Sequence, residues 1–255
     1  MNELQYQYNI YELFSEFRIK STFPTYPPYH KGDYFEEYFC KKYFNNFLDL
    51  ELNRIFLPIY WTNYYLQQNY GQDIQRLDEF LKTLDKSEKY FTVVQYDDGI
   101  INSAFDSFDK FVFTQGTTKN SNCVIPLNCI ACPIIKSEQK DIFCSFIGRN
   151  THPIRHLLIN SLKNKKHFLI SDKQPYQTFS NILSRSVFCL APRGYGETSF
   201  RICEALQRES IPVYISDNFA VPFKEQVNFS DYGVIIHSSE IKNIEEILQI
   251  GRAHV

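Results

Sequence analysis

The clearest hydrophobic pattern lies beyond residue 90. Short apolar runs, rich in β-branched and aromatic residues, occur there at 90–95, 111–114, 123–126, 142–147, 168–170, 187–190, 211–215 and 234–236. Runs of that length, bounded by turn residues, read as buried strands. Helical spacing falls between the later ones, over 154–162, 176–183, 198–208 and 241–248. Strands alternating with helices imply βαβ units and parallel sheets, hence an α/β fold.

The first 90 residues read differently, as helices and loops. Segment 21–32 holds Pro24, Pro27 and Pro28 and cannot be a helix interior, because proline lacks the amide donor and clashes with the preceding turn. Asp33 follows and is expected to cap a helix over 34–47. A second helix is expected over 73–84, where Ile74, Leu77, Phe80, Leu81 and Leu84 share one face. The polar run 136–141 is the natural linker. It divides an N-terminal domain, 1–140, from a Rossmann-like C-terminal domain, 141–255.

Composition adds mostly exclusions. Of 255 residues, 44% are hydrophobic and 22% charged, as in ordinary globular proteins. The 18 Tyr and 23 Phe offer large apolar faces, which fill cores or stack on carbohydrate. A net charge of −2 lacks the basic footprint of a nucleic-acid binder, so no nucleic-acid partner is expected. No run of about 18 apolar residues exists, and residues 1–20 lack a signal-peptide core, so no integral membrane segment is expected. That places the protein in the cytoplasm, or in the Golgi if the N-terminus is incomplete. The seven cysteines are odd in number and scattered, like free thiols in a reducing compartment. Cys129 and Cys132 have CxxC spacing, but Pro133 follows directly and no second ligand pair exists, so they are expected to be inert. Residues 250–255 resemble the translation of a sequencing adapter. They are expected to be an artefact, with the helix over 241–248 stopping there uncapped and the C-terminal end truncated.

Candidate chemistry concentrates in 186–206, which reads as strand, glycine-containing loop and helix. Gly194 and Gly196 allow a tight backbone and close ligand approach. A helix opening at Thr198 presents free amides carrying roughly half an elementary positive charge, and the Thr198 and Ser199 hydroxyls add donors. Arg193, just before, offers a fork that matches phosphate. Within the helix, Ile202, Cys203 and Leu206 share one side, while Arg201, Glu204 and Arg208 share another. These residues suit a diphosphate site, and they equally suit an ordinary capped helix with solvated charges.

The ordered set resembles the signature of the exostosin family of glycosyltransferases. The matching residues are Cys189-Leu-Ala-Pro-Arg-Gly194, Thr198-Ser-Phe-Arg201, Glu204-Ala205, Ile211-Pro-Val213, Ser216-Asp217 and Val221-Pro-Phe223. Phe146-Ile-Gly-Arg149 with Ile154-Arg155 is similar to the opening strand of the family's donor domain, and Tyr90 to Gly99 and Val124-Ile-Pro126 match its N-terminal half more weakly. The block 183–223 is the specific part. The resemblance implies a GT-B-like fold, two Rossmann-like domains facing across a cleft. It implies an inverting transfer from a uridine-diphosphate sugar to a hydroxyl of a glycan or lipid-linked acceptor. Glu204 would accept hydrogen bonds from the ribose. Arg149, Arg193, Arg201 and the loop residues Gly194, Gly196, Thr198 and Ser199 would complete the donor site. Fixed dipoles and cations would stabilise the leaving diphosphate, so no metal and no cofactor is expected.

Two positions depart from the family pattern. Glu197 puts a negative charge beside the expected diphosphate and must point away from it. Arg208-Glu209 stand where the family often has a small residue and glycine, which bears only on the turn. Inversion also needs a base. Asp97, in Gln-Tyr-Asp-Asp-Gly99, stands where the family often has His-Asp-Trp-Gly and is the candidate base; Asp97 and Asp98 equally suit a simple turn before Gly99. His30, in the proline loop, is a remoter candidate. His152 and His156 have the i, i+4 spacing of metal ligands, but no carboxylate completes a set, so His152 is instead a candidate phosphate or sugar contact. An active transferase and a non-catalytic nucleotide-sugar-binding or partner subunit of the same fold both fit. No motif specifies the donor sugar, the acceptor or the oligomeric state.

Overall fold

The computed structural model describes residues 9–21, 33–46, 53–129, 131 and 139–252. The chain divides into two compact units, Met1–Ile125 and Pro126–Val255. Lys140, from the polar run expected as linker, donates from Nζ to Arg208 O (2.9 Å) and Ser210 Oγ (3.1 Å), inside the second unit.

Each unit is built on one parallel sheet. In the first, β1 (Ile55–Phe56), β2 (Lys89–Val94), β3 (Asp109–Thr114) and β4 (Cys123–Val124) lie side by side in that order, all parallel. Residues alternate between the two faces, as the pleat requires. Tyr90, Val94 and Val112 face a core of Phe14, Phe17, Trp61, Tyr65, Leu77 and Phe105. Phe56 and Phe91 face the other way, under Phe39, Cys40, Tyr43 and Phe44 of helix α1 (Phe35–Asn46). The Phe39 and Tyr43 rings lie 5.2 and 4.8 Å from the Phe56 ring, so much of the aromatic excess of this half is spent on core packing.

β1 and helix α2 (Trp61–Gln67) do not show in the sequence pattern. β1 is too short to display a period. α2 is built largely from weak helix formers and is started from outside, where Glu36 Oε1 accepts from Thr62 N (3.1 Å) and Thr62 Oγ1 (2.6 Å). The start of α1 is also set over long range. Its first amide, Phe35 N, donates to Gln95 Oε1 (2.8 Å), while Asp33, the expected cap, pairs with Lys41 Nζ (2.6 Å). Helix α3 (Gln75–Leu81) occupies the middle of the expected 73–84 stretch.

The second unit contains β5 (Ile142–Ile147), β6 (Phe168–Ser171), β7 (Ser186–Pro192), β8 (Ile211–Ser216) and β9 (Val234–His237), arranged β6-β5-β7-β8-β9 and all parallel. Its helices are α4 (Pro153–Leu162), α5 (Tyr176–Arg185), α6 (Arg201–Leu206) and α7 (Ile244–Arg252). Cys144, Phe146, Phe188, Leu190, Val213 and Ile215 form one face, covered by α4 and α7. Ile147, Cys189, Ala191 and Tyr214 form the other, covered by α5 and α6. Truncating a fully buried ring such as Phe188 to Ala costs about 3–5 kcal/mol in such a core.

Two helices differ from expectation. α6 starts at Arg201 rather than 198, because the residues before it are held in a loop described below. The C-terminal helix begins as a 3-10 turn, Ser238–Asn243, and runs on as α7 to Arg252, past the expected stop at 248. Ile241, Ile244 and Leu248 are fully buried at helical spacing and fasten it to the sheet. Residues 253–255 lie outside the described residues, as does Cys132 of the CxxC pair. Its companion Cys129 accepts at Sγ from Gln207 Nε2 (2.5 Å). Among the described residues, no helix is long and apolar enough to cross a membrane.

Candidate functional site

In the order β6-β5-β7, the chain leaves β5 towards one edge of the sheet and returns to β7 on its other side. Such a reversal opens a crevice at the carboxyl ends of the two strands, where open α/β sheets bind ligands. Arg149 follows β5 there, and Arg193 follows β7. A third arginine ties the two edges together. Arg155, in the first turn of α4, donates from Nε to Arg193 O (2.9 Å), from Nη2 to Pro192 O (3.2 Å) and from Nη1 to Arg149 O (3.3 Å). His152 starts α4: its Nδ1 accepts from Ile154 N (3.2 Å), and Pro153 occupies the first helical position, where a missing amide is no loss. Burial, and then the charge of Arg193, lower the His152 pKa, while Asp217 opposes them; the neutral ring this cap needs is therefore favoured. Both ring nitrogens of His156 are taken up by Asn150 (3.0 Å) and Asn160 (2.8 Å).

The loop after β7 closes around its own arginine. The Arg193 side chain is only 14% exposed. Its Nε meets Gly194 O (3.3 Å) and Gly196 O (3.2 Å), its Nη2 donates to Tyr195 O (2.8 Å), and its Nη1 pairs with Asp217, just beyond β8. The guanidinium is a strut of the loop, not an open fork. Glu197 anchors the far side. Its carbonyl accepts from Tyr214 Oη (2.5 Å) and Ser216 Oγ (3.2 Å), and its buried carboxylate accepts from Asn218 Nδ2 (2.5 Å). The charge expected to turn away thus turns toward the β8 side. With these carbonyls committed, α6 cannot begin until Arg201. Among the described residues, the amides and side-chain hydroxyls of Thr198 and Ser199 and the amides of Tyr195 and Gly196 meet no acceptor. The donors therefore come from the loop rather than from a helix opening at Thr198. Neither Gly194 nor Gly196 has positive φ, and a Cβ on Gly194 would make an ordinary 3.7 Å contact with Arg155 Nη2, so left-handed backbone is not what glycine supplies here. Arg149 is exposed, and its guanidinium makes no hydrogen bond or ion pair among the described residues.

Further along, α6 carries Glu204, whose side chain is 30% exposed. Its Oε2 accepts from Arg201 Nε (2.9 Å), and its Oε1 meets no donor among the described residues. Arg201 also donates from Nη2 to Ile147 O (2.7 Å) and lies over the Phe179 ring, 4.5 Å from its centroid. After α6, Ser210 N closes the turn on Ala205 O (3.0 Å), and Glu209 takes the left-handed conformation at φ 53°.

A family profile described as Exostosin GT47 domain matches residues 80–250, which is more than half of the chain and includes this whole arrangement. The chain belongs to the exostosin family. Among curated relatives, a probable glycosyltransferase of Arabidopsis thaliana is 32% identical over 113 residues, covering 44% of this chain and 22% of that protein. A probable glucuronosyltransferase of Oryza sativa subsp. japonica is 34% identical over 94 residues, 37% of this chain and 21% of that protein. An exostosin-1 homolog of Caenorhabditis elegans is 32% identical over 78 residues, 31% and 20% respectively. The chain thus spans about a fifth of the length of these relatives.

The exostosin match also takes in Asp97, in the first unit. Asp97 is exposed in a turn at the carboxyl end of β2, closed by Gly99 N donating to Tyr96 O (2.9 Å). Gly99 sits at φ 69°, and a Cβ there would stand 2.6 Å from Lys119 O, so this turn does require glycine. Asp98 pairs with Lys119 Nζ (2.5 Å). Gln95, two residues before Asp97, is gripped by Glu36, whose Oε1 accepts from Gln95 N (2.9 Å). Glu36 is fully buried, and burial raises its pKa; its Oε2 has no partner among the described residues. Sequence reasoning missed Glu36, Arg155 and Asp217 as supports of these loops. Arg155 and Asp217 carried a weak signal, a charge placed directly beside an expected strand or helix end, and Glu36 carried none. His30 lies outside the described residues.

Proposed function

We propose that this exostosin-family chain carries a glycosyltransferase of the GT-B class, transferring a sugar from a uridine-diphosphate donor to a hydroxyl of a glycan or lipid-linked acceptor with inversion. The observation that supports the donor half most directly is the run of amides and hydroxyls at Tyr195, Gly196, Thr198 and Ser199 that meet no acceptor among the described residues, in the loop after β7, with the exposed Arg149 following the adjacent strand β5. In this reading the diphosphate lies against those donors and is met by Arg149. Gly194 and Gly196 keep the loop backbone approachable, and Arg193 keeps it in shape. Glu204 Oε1 accepts from the ribose.

The transfer balances as a single displacement. The acceptor oxygen bonds to the anomeric carbon as the bond from that carbon to the diphosphate oxygen breaks. The electron pair of the broken bond leaves on the diphosphate, and the acceptor proton passes to the Asp97 carboxylate. Preorganised dipoles and the Arg149 cation meet the charge that develops on the leaving group, a role metals fill elsewhere, so turnover is expected to persist in excess chelator. The test is release of uridine diphosphate from a panel of uridine-diphosphate sugars in the presence of glycan and lipid-linked acceptors. Asp97→Asn is expected to lower acceptor-dependent release by about 10²–10⁴-fold, the usual contribution of a general base, with nucleotide affinity unchanged. A protein that neither binds uridine nucleotides nor releases the diphosphate would sink the proposal. The exposure of Asp97 on a turn favours a second reading, a non-catalytic nucleotide-sugar-binding or partner subunit, which predicts binding without release.

A further inference from the structure

We infer that Arg201 is a positioning residue that aims the Glu204 carboxylate at the ribose hydroxyls, and that it does not touch the diphosphate; this rests on the proposed ribose role of Glu204. Every edge of the Arg201 guanidinium is accounted for. Nη2 donates to Ile147 O at 2.7 Å, at the last residue of β5. The plane lies over Phe179 of α5, 4.5 Å from the ring centroid. Nε donates to Glu204 Oε2 at 2.9 Å. Nη1 is buried and has no acceptor among the described residues, which leaves no edge open to a phosphate arriving from solvent. The sheet and α5 fix the guanidinium, and the guanidinium passes that orientation to a carboxylate one turn further along its own helix, α6.

The burial gradient supports the same order. The Arg201 side chain is 14% exposed and that of Glu204 30%, so the cation lies behind and the carboxylate in front. An unrestrained glutamate on a half-exposed helix face would sample several rotamers and present its oxygens in varying directions. Binding Oε2 from behind leaves Oε1 and the outer lone pairs directed outward, a fixed pair of acceptors for a vicinal diol. The stranded Nη1 is a cost that a stabilising residue would avoid, since a buried donor without an acceptor loses its hydration for nothing. Lysine would not substitute, because an ammonium is a point charge that cannot hold Ile147 O and Glu204 in two set directions.

The experiment measures binding of uridine diphosphate and of 2′,3′-dideoxyuridine diphosphate by calorimetry to the full chain and to Arg201→Gln and Arg201→Lys. The wild type should prefer the ribose nucleotide by about 10- to 100-fold, the range for hydrogen bonds to a charged group. Both variants should lose most of that preference while binding the dideoxy nucleotide within about threefold of wild type, a change well under one hydrogen bond. A wild-type protein that binds both nucleotides equally overturns the ribose reading of Glu204, and the inference with it. A wild-type preference that survives in Arg201→Gln overturns the inference alone. A preference lost in Arg201→Gln but retained in Arg201→Lys reduces the role to charge and overturns the positioning claim. Equal loss of both nucleotides in both variants assigns Arg201 to structure and overturns it as well.

Discussion

Arg193→Lys and Asp217→Asn together decide whether Arg193 is a strut or a ligand. The Arg193 guanidinium meets three loop carbonyls, at 2.8, 3.2 and 3.3 Å, and pairs with Asp217. A lysine ammonium reaches one or two of these acceptors at once. A hydrogen bond from a charged donor is worth about 1.5–3 kcal/mol, but the loop is near solvent and water can replace part of what is lost. Arg193→Lys should therefore cost about 2 kcal/mol in stability of the second unit. The Asp217 side chain is 50% exposed, so the ion pair alone is worth about 0.5–1 kcal/mol and Asp217→Asn should cost that much. The two roles of Arg193 predict opposite signs for the nucleotide. An arginine waiting to grip the diphosphate would be released by Asp217→Asn and bind uridine diphosphate more tightly. A strut would be loosened, and binding would weaken or stay level. The only tryptophan, Trp61, lies in the first unit and reports poorly on the second. Scanning calorimetry, with hydrogen exchange over 193–199 and calorimetric titration of uridine diphosphate, is the suitable assay. A tenfold gain in affinity for Asp217→Asn, about 1.4 kcal/mol, would refute the strut and restore Arg193 as a direct ligand.

Three further outcomes follow from the same geometry. Glu204→Ala should weaken uridine diphosphate by about 1.5–3 kcal/mol and leave the dideoxy nucleotide nearly unchanged; equal losses for both would remove Glu204 from the ribose. The pKa of His152 lies below its ordinary 6.5 in the folded state, so just below that pH the unfolded chain holds the proton more tightly. Its contribution to stability is complete above pH 6.5 and is lost as pH falls through the folded value, when Nδ1 can no longer accept from Ile154 N. His152→Asn keeps an acceptor at the cap and should flatten this part of the acid unfolding curve; an unchanged slope would count against the cap. Glu209 holds a left-handed conformation that disfavours side chains, so Glu209→Gly should raise stability by about 1 kcal/mol, read as a higher unfolding midpoint. A lower midpoint would mean that the glutamate earns its place through contacts.

The second sheet was legible because strands buried on both faces appear as unbroken apolar runs, and β5 to β9 fall on the runs at 142–147, 168–170, 187–190, 211–215 and 234–236. The first unit was less so. β1 spans only Ile55–Phe56, and α2 is started by a carboxylate 26 residues away. Local propensity contains no information about such a partner. The cap of α1 fails as a sequence inference for the same reason: a nearby aspartate was available, but Gln95 reached the amide first from the end of β2.

The sequence by itself determined the α/β class and the family, and it named the positions to which the proposal assigns the chemistry: Arg149, the 193–199 loop, Glu204 and Asp97. These follow from residue type, period and order, which are properties of the chain in one dimension. Only the tertiary structure decided what each charge does. Whether an arginine faces a ligand or its own backbone depends on which acceptors the fold brings within about 3 Å, and several arise from remote segments. Arg193 closes on its own loop and on Asp217, Arg155 bridges the ends of β5 and β7, and Arg201 backs Glu204 from the edge of the sheet. Arg149 is left facing solvent. Four similar letters thus receive different work, because a guanidinium has five donors in a fixed plane and the surrounding carbonyls determine how many remain for a ligand.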